Sequence, residues 1–123
     1  MIILDTNVLI EVLKNNTDTI STLSELQAPM FVSIITSMEL FYGARDKQEV
    51  KMLERFLGKF EQLPIDESIS YCALDLVQQY AKSHTLDIPD SLIAASALMN
   101  QASLFTYNTK DFRFIPEITL VEY

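Results

Sequence analysis

Glycine, cysteine, histidine and tryptophan are scarce in this sequence of 123 residues, which has two glycines, one cysteine, one histidine and no tryptophan. Two isolated glycines leave no glycine-rich loop of the kind that cradles nucleotide phosphates. The only cysteine, Cys72, has no partner for a disulfide bond within the chain, and a helical apolar pattern surrounds it, so we expect it to act as a small buried hydrophobe. The only histidine, His84, excludes catalytic pairs of histidines and histidine-rich zinc sites.

Long apolar runs and excess basic charge are also missing. Although 49% of the residues are hydrophobic, no run approaches the about 20 residues that span a bilayer, and no basic segment precedes the apolar residues 1–4. The net charge of −8 argues against sequence-independent coating of DNA, but it is compatible with a carboxylate metal site or a basic protein partner. We therefore expect one soluble, cytoplasmic domain over residues 1–123, with no membrane association.

Short apolar segments alternate with helical patterns along the chain. Runs rich in Ile, Val and Phe predict buried strands at residues 2–4, 30–35, 63–65, 103–106 and 118–121. Between them, apolar residues at helical spacing begin near Val8, Ile20, Val50, Ile69 and Ile93. This alternation predicts parallel crossover units, and hence a three-layer α/β/α domain with a mainly parallel sheet of four to five strands. Ligands of such sheets bind beyond the carboxyl ends of the strands.

Four acidic residues fall near that edge of the predicted sheet, namely Asp5, Glu39, Asp90 and Asp111. Each has an ordinary explanation, respectively a helix cap, a capping box begun by Thr36, a helix-dipole partner and a turn. Those explanations do not account for the convergence of all four at one edge. Converging carboxylates repel one another unless a cation neutralises them, and oxygen ligands suit Mg²⁺ or Mn²⁺. Such an ion activates water and polarises a phosphodiester.

A proline separates two of the nearby acids. Pro89 suits the first position of a helix and disfavours helical geometry at Ile88, so we expect the helix to begin at Pro89. Asp87 should then lie outside the helix and face solvent. Asp90 should share the face of Ile93 and point toward the strand ends, so that only Asp90 of the two binds metal.

Four motifs surround the acidic residues, namely Leu4-Asp5-Thr6-Asn7, Thr36-x-x-Glu39-Leu40-x-x-Gly43, Asp90-x-Leu92-Ile93-Ala94-Ala95 and Thr106-x-Asn108-x-x-Asp111-Phe112. In this order and spacing they resemble a PIN domain of the VapC toxin group over nearly the whole chain. The resemblance implies a metal-dependent endoribonuclease that acts as the toxin of a type II toxin–antitoxin pair. It also implies a 5′-phosphate and a 3′-hydroxyl product, structured RNA such as tRNA as substrate, a cognate antitoxin and a homodimer.

The same resemblance assigns roles to individual residues. It implies that the four acidic residues hold one or two Mg²⁺ or Mn²⁺ ions, with Asp5 and Asp90 at the principal positions. Glu39 matches a further acidic position that serves as ligand or base, and Asp111 matches the most variable one. Polar residues that orient carboxylates or metal-bound water are implied at Thr6, Asn7 and Asn108.

Basic and aromatic residues supply the candidates for RNA contact. Those nearest the motifs are Lys14, Arg45, Lys110 and Arg113. Many relatives carry an arginine where this chain has Tyr107, which either stacks on an unpaired base or is buried against the sheet. A basic stripe recurs every four residues, either as a solvated helix face or as an RNA- or partner-binding surface, at Lys47, Lys51, Arg55 and Lys59. Phe41 is expected in the core, or alternatively it lines a groove or two-fold interface together with Tyr42 and the first two helices.

Two other functions are compatible with parts of this pattern. An aspartyl-phosphate phosphohydrolase or receiver domain also places a carboxylate after the first strand, but it requires a neighbouring acid and a lysine after a later strand. Here Asp5 is followed by Thr6 and Asn7, and Lys110 lies in a different context. A non-catalytic PIN-like scaffold that binds RNA or protein is the third possibility, although such scaffolds tend to lose the acidic residues that this chain retains.

Overall fold

Five strands and six α-helices alternate along the chain in the computed structural model, which describes all of residues 1–123. The strands are β1 (Ile2–Leu4), β2 (Met30–Ser33), β3 (Glu61–Leu63), β4 (Ser103–Phe105) and β5 (Thr119–Leu120). The helices are α1 (Thr6–Leu13), α2 (Thr17–Glu25), α3 (Ile34–Tyr42), α4 (Lys47–Leu57), α5 (Glu67–His84) and α6 (Ile88–Met99). None of the helices is sufficiently long and apolar to cross a membrane.

All five strands are parallel, in the order β3-β2-β1-β4-β5. The predicted parallel α/β architecture is therefore confirmed. The chain builds outward from β1 to β3 on one side, then returns to the other side of β1 to form β4 and β5. The carboxyl ends of β1 and β4 thus flank the point at which the strand order reverses, where parallel sheets bind ligands.

Alternate residues of the central strands point into two separate hydrophobic cores. Ile3 and Leu104 pack in the core covered by α5 and α6. Ile2, Leu4 and Phe105 pack on the opposite face, in the core that includes residues of α1, α3 and α4. This alternation follows from the two-residue repeat of a strand, and it gives the domain its three layers.

The second predicted strand is too long, because its last two residues belong to a helix that the periodicity did not indicate. β2 ends at Ser33, whose hydroxyl accepts a hydrogen bond from the backbone N–H of Ile35 at 3.1 Å and caps α3. Capping at Ser33 prevails over the β-branched character of Ile34 and Ile35. The interpretation of Thr36 and Glu39 as a capping box is consequently wrong, since Thr36 lies inside the first turn.

Other predicted boundaries differ from the observed ones by one or two residues, and β4 and β5 are likewise shorter than predicted. β3 covers residues 61–63 instead of 63–65, because Pro64 cannot donate a ladder hydrogen bond, and the pairing with β2 uses Glu61 and Gln62 on an exposed edge. The last helix begins at Ile88 instead of Pro89, because Asp87 caps it with a carboxylate that accepts from the N–H of Asp90 at 2.8 Å.

Candidate active site

Asp5 lies at the carboxyl end of β1 and is almost fully buried. One of its oxygens accepts from the backbone N–H of Thr6 at 2.8 Å, so Asp5 caps α1. Its other oxygen accepts from the hydroxyl of Thr106 at 2.8 Å and from the side-chain amide of Asn7 at 3.3 Å. Burial raises the pKa of Asp5, the hydrogen bonds from Thr106 and Thr6 oppose the rise, and repulsion from Glu39 and Asp111 adds to it.

Asp90 occupies the first turn of α6, at the same end of the sheet. The helix packs closely because its inner face is made of small buried residues, including Ala94 and Ala97. Burial and, after it, repulsion from Asp87, Asp5, Asp111 and Glu39 raise the pKa of Asp90 to about 7. Asp90 is thus close enough to Asp5 and Asp111 for their charges to interact, and Asp87 is exposed as expected.

Glu39 lies on helix α3. The prediction that it directly follows the end of the second strand is therefore wrong. It lies in the second turn of α3, where its Oε1 accepts from the hydroxyl of Thr6 at 2.8 Å. The hydroxyl of Thr36 is 2.9 Å from the same Thr6 oxygen. The Thr6 side chain thus fixes Glu39, while its backbone N–H fixes Asp5.

Asp111 lies in a 3-10 turn, Thr109–Asp111, that follows β4. It is half-buried, and its charge raises the pKa values of both Asp5 and Asp90. Asn108 precedes this turn but does not cap it with its side chain. Only its backbone N–H contributes, by donating to the Thr106 hydroxyl at 3.0 Å. No contact of the Asn108 side chain with a carboxylate supports its expected role in orienting one.

The four predicted acids therefore share one electrostatic environment made only of oxygen donors. No group of three or more Asp, Glu, His or Cys side chains is arranged to hold a metal ion as it stands. The chemistry of the donor set nevertheless fits a hard divalent cation, because Mg²⁺ retains several waters and needs only one or two direct carboxylates. Burial is the main cause of the raised pKa values of Asp5 and Asp90, and repulsion from neighbouring carboxylates adds to it. A bound cation would stabilise the ionised form of both carboxyl groups against burial and against repulsion.

A groove of about 680 Å³ opens beside the acidic residues. Its lining joins Thr6 and Glu39 of the site with two of the predicted RNA contacts, Lys14 and Arg45. Lys14 is exposed, with Nζ 3.6 Å from a carboxylate oxygen of Glu11. Arg45 is also exposed, and its Nε donates to Glu49 at 2.9 Å. Both cations are thus placed along the groove, although each already has an acidic partner.

The other basic candidates are separate from this groove. Lys110 is exposed beside Asp111 and forms no ion pair. Arg113 lines a different cavity, with Thr109 and Tyr123. The basic stripe is exposed along α4 and just beyond it, and none of its members forms an ion pair: Lys47, Lys51, Arg55 and Lys59. The solvated-face interpretation accounts for the stripe without further assumption.

Thr106 is the residue that the sequence analysis did not assign to the site. It is buried after β4, donates to Asp5, and accepts from the backbone of Asn108 and the side chain of Asn7. Its position gave a usable signal, because a threonine that directly follows the strand next to β1 must lie opposite Asp5 in a parallel sheet. Thr36 was likewise quoted in a motif but interpreted only as a cap.

The chain is similar to known proteins over almost its whole length. The PIN domain family matches residues 2–120. This chain belongs to the PIN domain family. Among similar proteins, Ribonuclease VapC1 of Methanocaldococcus jannaschii is 32% identical over 99% of this chain and 86% of its own. The tRNA(fMet)-specific endonuclease VapC of Salmonella typhimurium is 29% identical over 98% of this chain and 94% of its own.

The fold of this chain is also similar to that of a solved structure. The toxin–antitoxin complex from Klebsiella pneumoniae contains a chain that superposes on this PIN domain with a TM-score of 0.82 and 28% sequence identity. The superposition covers 97% of this chain and 96% of that one. The similarity therefore extends over the whole domain, including every element that carries an acidic site residue.

Proposed function

We propose that this chain is a metal-dependent endoribonuclease that acts as the toxin of a type II toxin–antitoxin pair. The observation that carries the proposal is the convergence of Asp5, Glu39, Asp90 and Asp111 at the strand-order reversal, where the charges of Asp5, Glu39 and Asp111 all contribute to the raised pKa of Asp90. The VapC relatives named as ribonucleases support the choice of RNA as substrate.

Each acidic residue has a distinct part in this proposal. Asp5 and Asp90 would hold one Mg²⁺ or Mn²⁺ ion, with Asp111 and Glu39 completing its surroundings directly or through water. The ion, when bound, activates water and stabilises the charge of phosphodiester hydrolysis. Asn7 and Thr106 hold the Asp5 carboxylate in one orientation, and Thr6 holds Glu39 beside it.

A cleavage assay with the purified chain tests the catalytic part. Single-stranded RNA and tRNA should be cut with Mg²⁺ or Mn²⁺ and left intact in excess EDTA, with 5′-phosphate and 3′-hydroxyl ends in the products. Full cleavage in excess EDTA would overturn the metal-dependent mechanism. RNA binding without cleavage in saturating Mn²⁺ would instead favour the non-catalytic scaffold, and an acyl phosphate trapped on Asp5 would favour the phosphohydrolase.

An antitoxin partner is proposed from the groove as well as from the toxin–antitoxin complex to which the chain is similar. The groove is apolar at Ile10, Leu13 and Met52, and the cations of Lys14 and Arg45 also line it. Such a surface suits an amphipathic segment whose apolar face fills the groove. Expression of the chain alone should arrest growth, and co-expression of an adjacent small gene product should relieve the arrest. Harmless expression of a folded, RNA-cleaving protein would contradict the toxin role.

A homodimer is also proposed, with α3 as its contact surface. Tyr42 is 94% exposed and Met38 is 57% exposed, and the two lie one helical turn apart. Phe41 instead packs against the core and is not part of this surface. Light scattering should give the mass of two chains, and Tyr42→Asp should give the mass of one. A wild-type mass of 14.0 kDa at micromolar concentration would contradict the dimer.

A further inference from the structure

A second cleft, of about 360 Å³, lies along a different face of α1 from the groove. It is lined by Asn7, Glu11, Asn16 and Tyr107. We propose that this cleft is a nucleobase subsite, in which a base of the RNA stacks on Tyr107 and donates hydrogen bonds to Glu11, with guanine preferred. The proposal rests on the ribonuclease function and specifies which nucleotide that activity selects.

The cleft adjoins the acidic site through one shared residue. The side-chain amide of Asn7 donates to Asp5 at 3.3 Å, and its oxygen accepts from the backbone N–H of Tyr107 at 3.1 Å. A base in the cleft is therefore separated from Asp5 only by this side chain. Its phosphodiester can reach the acidic residues without a long intervening segment of RNA.

Tyr107 is held in place as a platform before any ligand arrives. Its hydroxyl is 2.6 Å from the hydroxyl of Thr19. Its ring makes edge contacts with Phe105 and Tyr123, at centroid distances of 5.5 and 5.1 Å. The side chain is only half-buried, and it lines the cleft. An aromatic ring fixed in this way loses little conformational freedom when a base stacks on it.

Among the polar groups that line the cleft, only the Glu11 carboxylate can still accept hydrogen bonds from a ligand. Both polar atoms of Asn7 are engaged, and those of Asn16 are used to cap α2 and to donate to Glu11 at 2.9 Å. The Glu11 carboxylate, whose side chain is 32% exposed, retains free lone pairs although Lys14 lies 3.6 Å away. A carboxylate accepts hydrogen bonds and repels phosphate, so the cleft selects a neutral group that carries donors.

Among the RNA bases, guanine meets this requirement best. Its ring N–H and exocyclic amino group form two adjacent donors, which match a carboxylate. Uracil presents a single ring N–H between two carbonyl oxygens that a carboxylate repels. Adenine and cytosine each pair one amino donor with a ring acceptor. Proteins commonly read unpaired RNA bases through stacking combined with hydrogen bonds to this edge, as proposed here.

Nuclear magnetic resonance titration of the metal-free protein tests binding without any need for cleavage. The side-chain amide signals of Asn7 and Asn16 report on the cleft. Guanosine, inosine and uridine 5′-monophosphates carry the same phosphate, and inosine lacks only the amino group of guanosine. We expect both amide signals to shift with guanosine monophosphate at about tenfold lower concentration than with uridine monophosphate, and inosine monophosphate to fall between them. Equal responses to all three nucleotides, or no response at these amides, would overturn the proposal.

Three variants separate stacking from hydrogen bonding. Glu11→Gln should bind the three nucleotides about equally. A carboxylate only accepts hydrogen bonds, whereas the amide of glutamine both donates and accepts them, so it no longer selects a base with two adjacent donors. Tyr107→Leu should weaken guanosine monophosphate binding by about tenfold, the effect of losing one base–aromatic stack. Tyr107→Phe keeps the ring and should retain most of the affinity, which shows that Tyr107→Leu acts through stacking. Undiminished binding by a folded Tyr107→Leu protein would contradict the assignment.

Sequencing of the fragments cut from a random RNA pool extends the test to the reaction. We expect guanosine at one fixed offset from the cut, and loss of that preference in Glu11→Gln. Cleavage with no guanosine preference would overturn the subsite while leaving the ribonuclease function intact. Guanosine-selective amide shifts with no cleavage of any RNA would overturn the ribonuclease function instead.

Discussion

The two faces of the sheet are built from alternate residues of the same strands, yet they differ in how their helices cover them. The α5 and α6 face is rich in alanine, with Ala73, Ala94 and Ala97 buried, and the cavities at its margins are about 310 and 230 Å³. The opposite face is covered by larger side chains and carries the groove of about 680 Å³.

This difference assigns separate tasks to the two faces. Small side chains let α6 pack closely against α5, and the first turn of α6 carries Asp90 at the end of the sheet where Asp5 lies. The opposite face, which carries the groove and is called the open face below, contributes Glu39 from α3. The groove beside Glu39 leaves room for a partner or substrate. The acidic site forms where the two faces meet, at the carboxyl ends of β1 and β4.

Replacing Asp5, which lies at the end of β1 between the two faces of the sheet, should have the largest effect on RNA cleavage. Asp5→Asn preserves the helix cap but weakens cation binding, and cleavage should fall by at least the roughly 10–100-fold that the loss of metal-site partners costs. Without divalent ion its melting temperature should equal or exceed that of the wild type, because the raised pKa shows that the carboxylate is costly. A variant that cleaves RNA normally would remove Asp5 from the site.

Overpacking the close-packed face should have the next largest effect. Ala94 is fully buried on α6, and Ala94→Leu should cost about 1–3 kcal/mol of unfolding free energy while displacing Asp90 and reducing cleavage. Ala44→Leu, at a half-buried alanine packed against the core of the opposite face, is the matched change and should cost less. Similar losses from urea denaturation of both variants would show that the faces do not differ in packing.

The pH dependence of stability tests the charge at the junction of the faces. The folded-state pKa of Asp90, about 7, exceeds its ordinary value of 3.8, so folding takes up a proton between these pH values. The stabilisation from Asp90 is complete below about pH 4 and is lost as the pH rises through about 7. Metal-free protein should therefore melt at a higher temperature at about pH 5.5 than at about pH 7.5. Asp90→Asn should reduce that difference, whereas the exposed Glu54→Gln should not.

A smaller effect on stability is expected at the start of α3, on the open face. Ser33 caps α3, the helix that carries Glu39, and Ser33→Ala should cost about 1 kcal/mol of unfolding free energy. Ser33→Gly should cost less than Ser33→Ala, because glycine is tolerated at an N-cap. Chemical denaturation measures both. A stability unchanged in Ser33→Ala would indicate that packing of Leu40, and not the cap, fixes the start of α3.

The sequence was most informative where one physical signal dominated. Apolar runs identified the buried strands, and helical spacing identified α5 and α6, because both depend on local periodicity. It failed at α3, where Ile34 and Ile35 look like strand residues and only the cap at Ser33 shows otherwise. The acidic residues were found because their motifs are local. The support of Asp5 by Thr106 was missed because that contact depends on how β1 and β4 pair across 101 residues.

The most direct test of the acidic site compares Asp90→Asn with Asp87→Asn in Mn²⁺ affinity and RNA cleavage, after thermal melting shows both proteins to be folded. Asparagine at residue 87 can still cap α6, so that variant removes a neighbouring charge while preserving the helix start. We expect Asp90→Asn to lose about 10–100-fold or more in both measurements and Asp87→Asn to lose little. Equal losses, or a larger loss for Asp87→Asn, would contradict the assignment of Asp90 to the metal site.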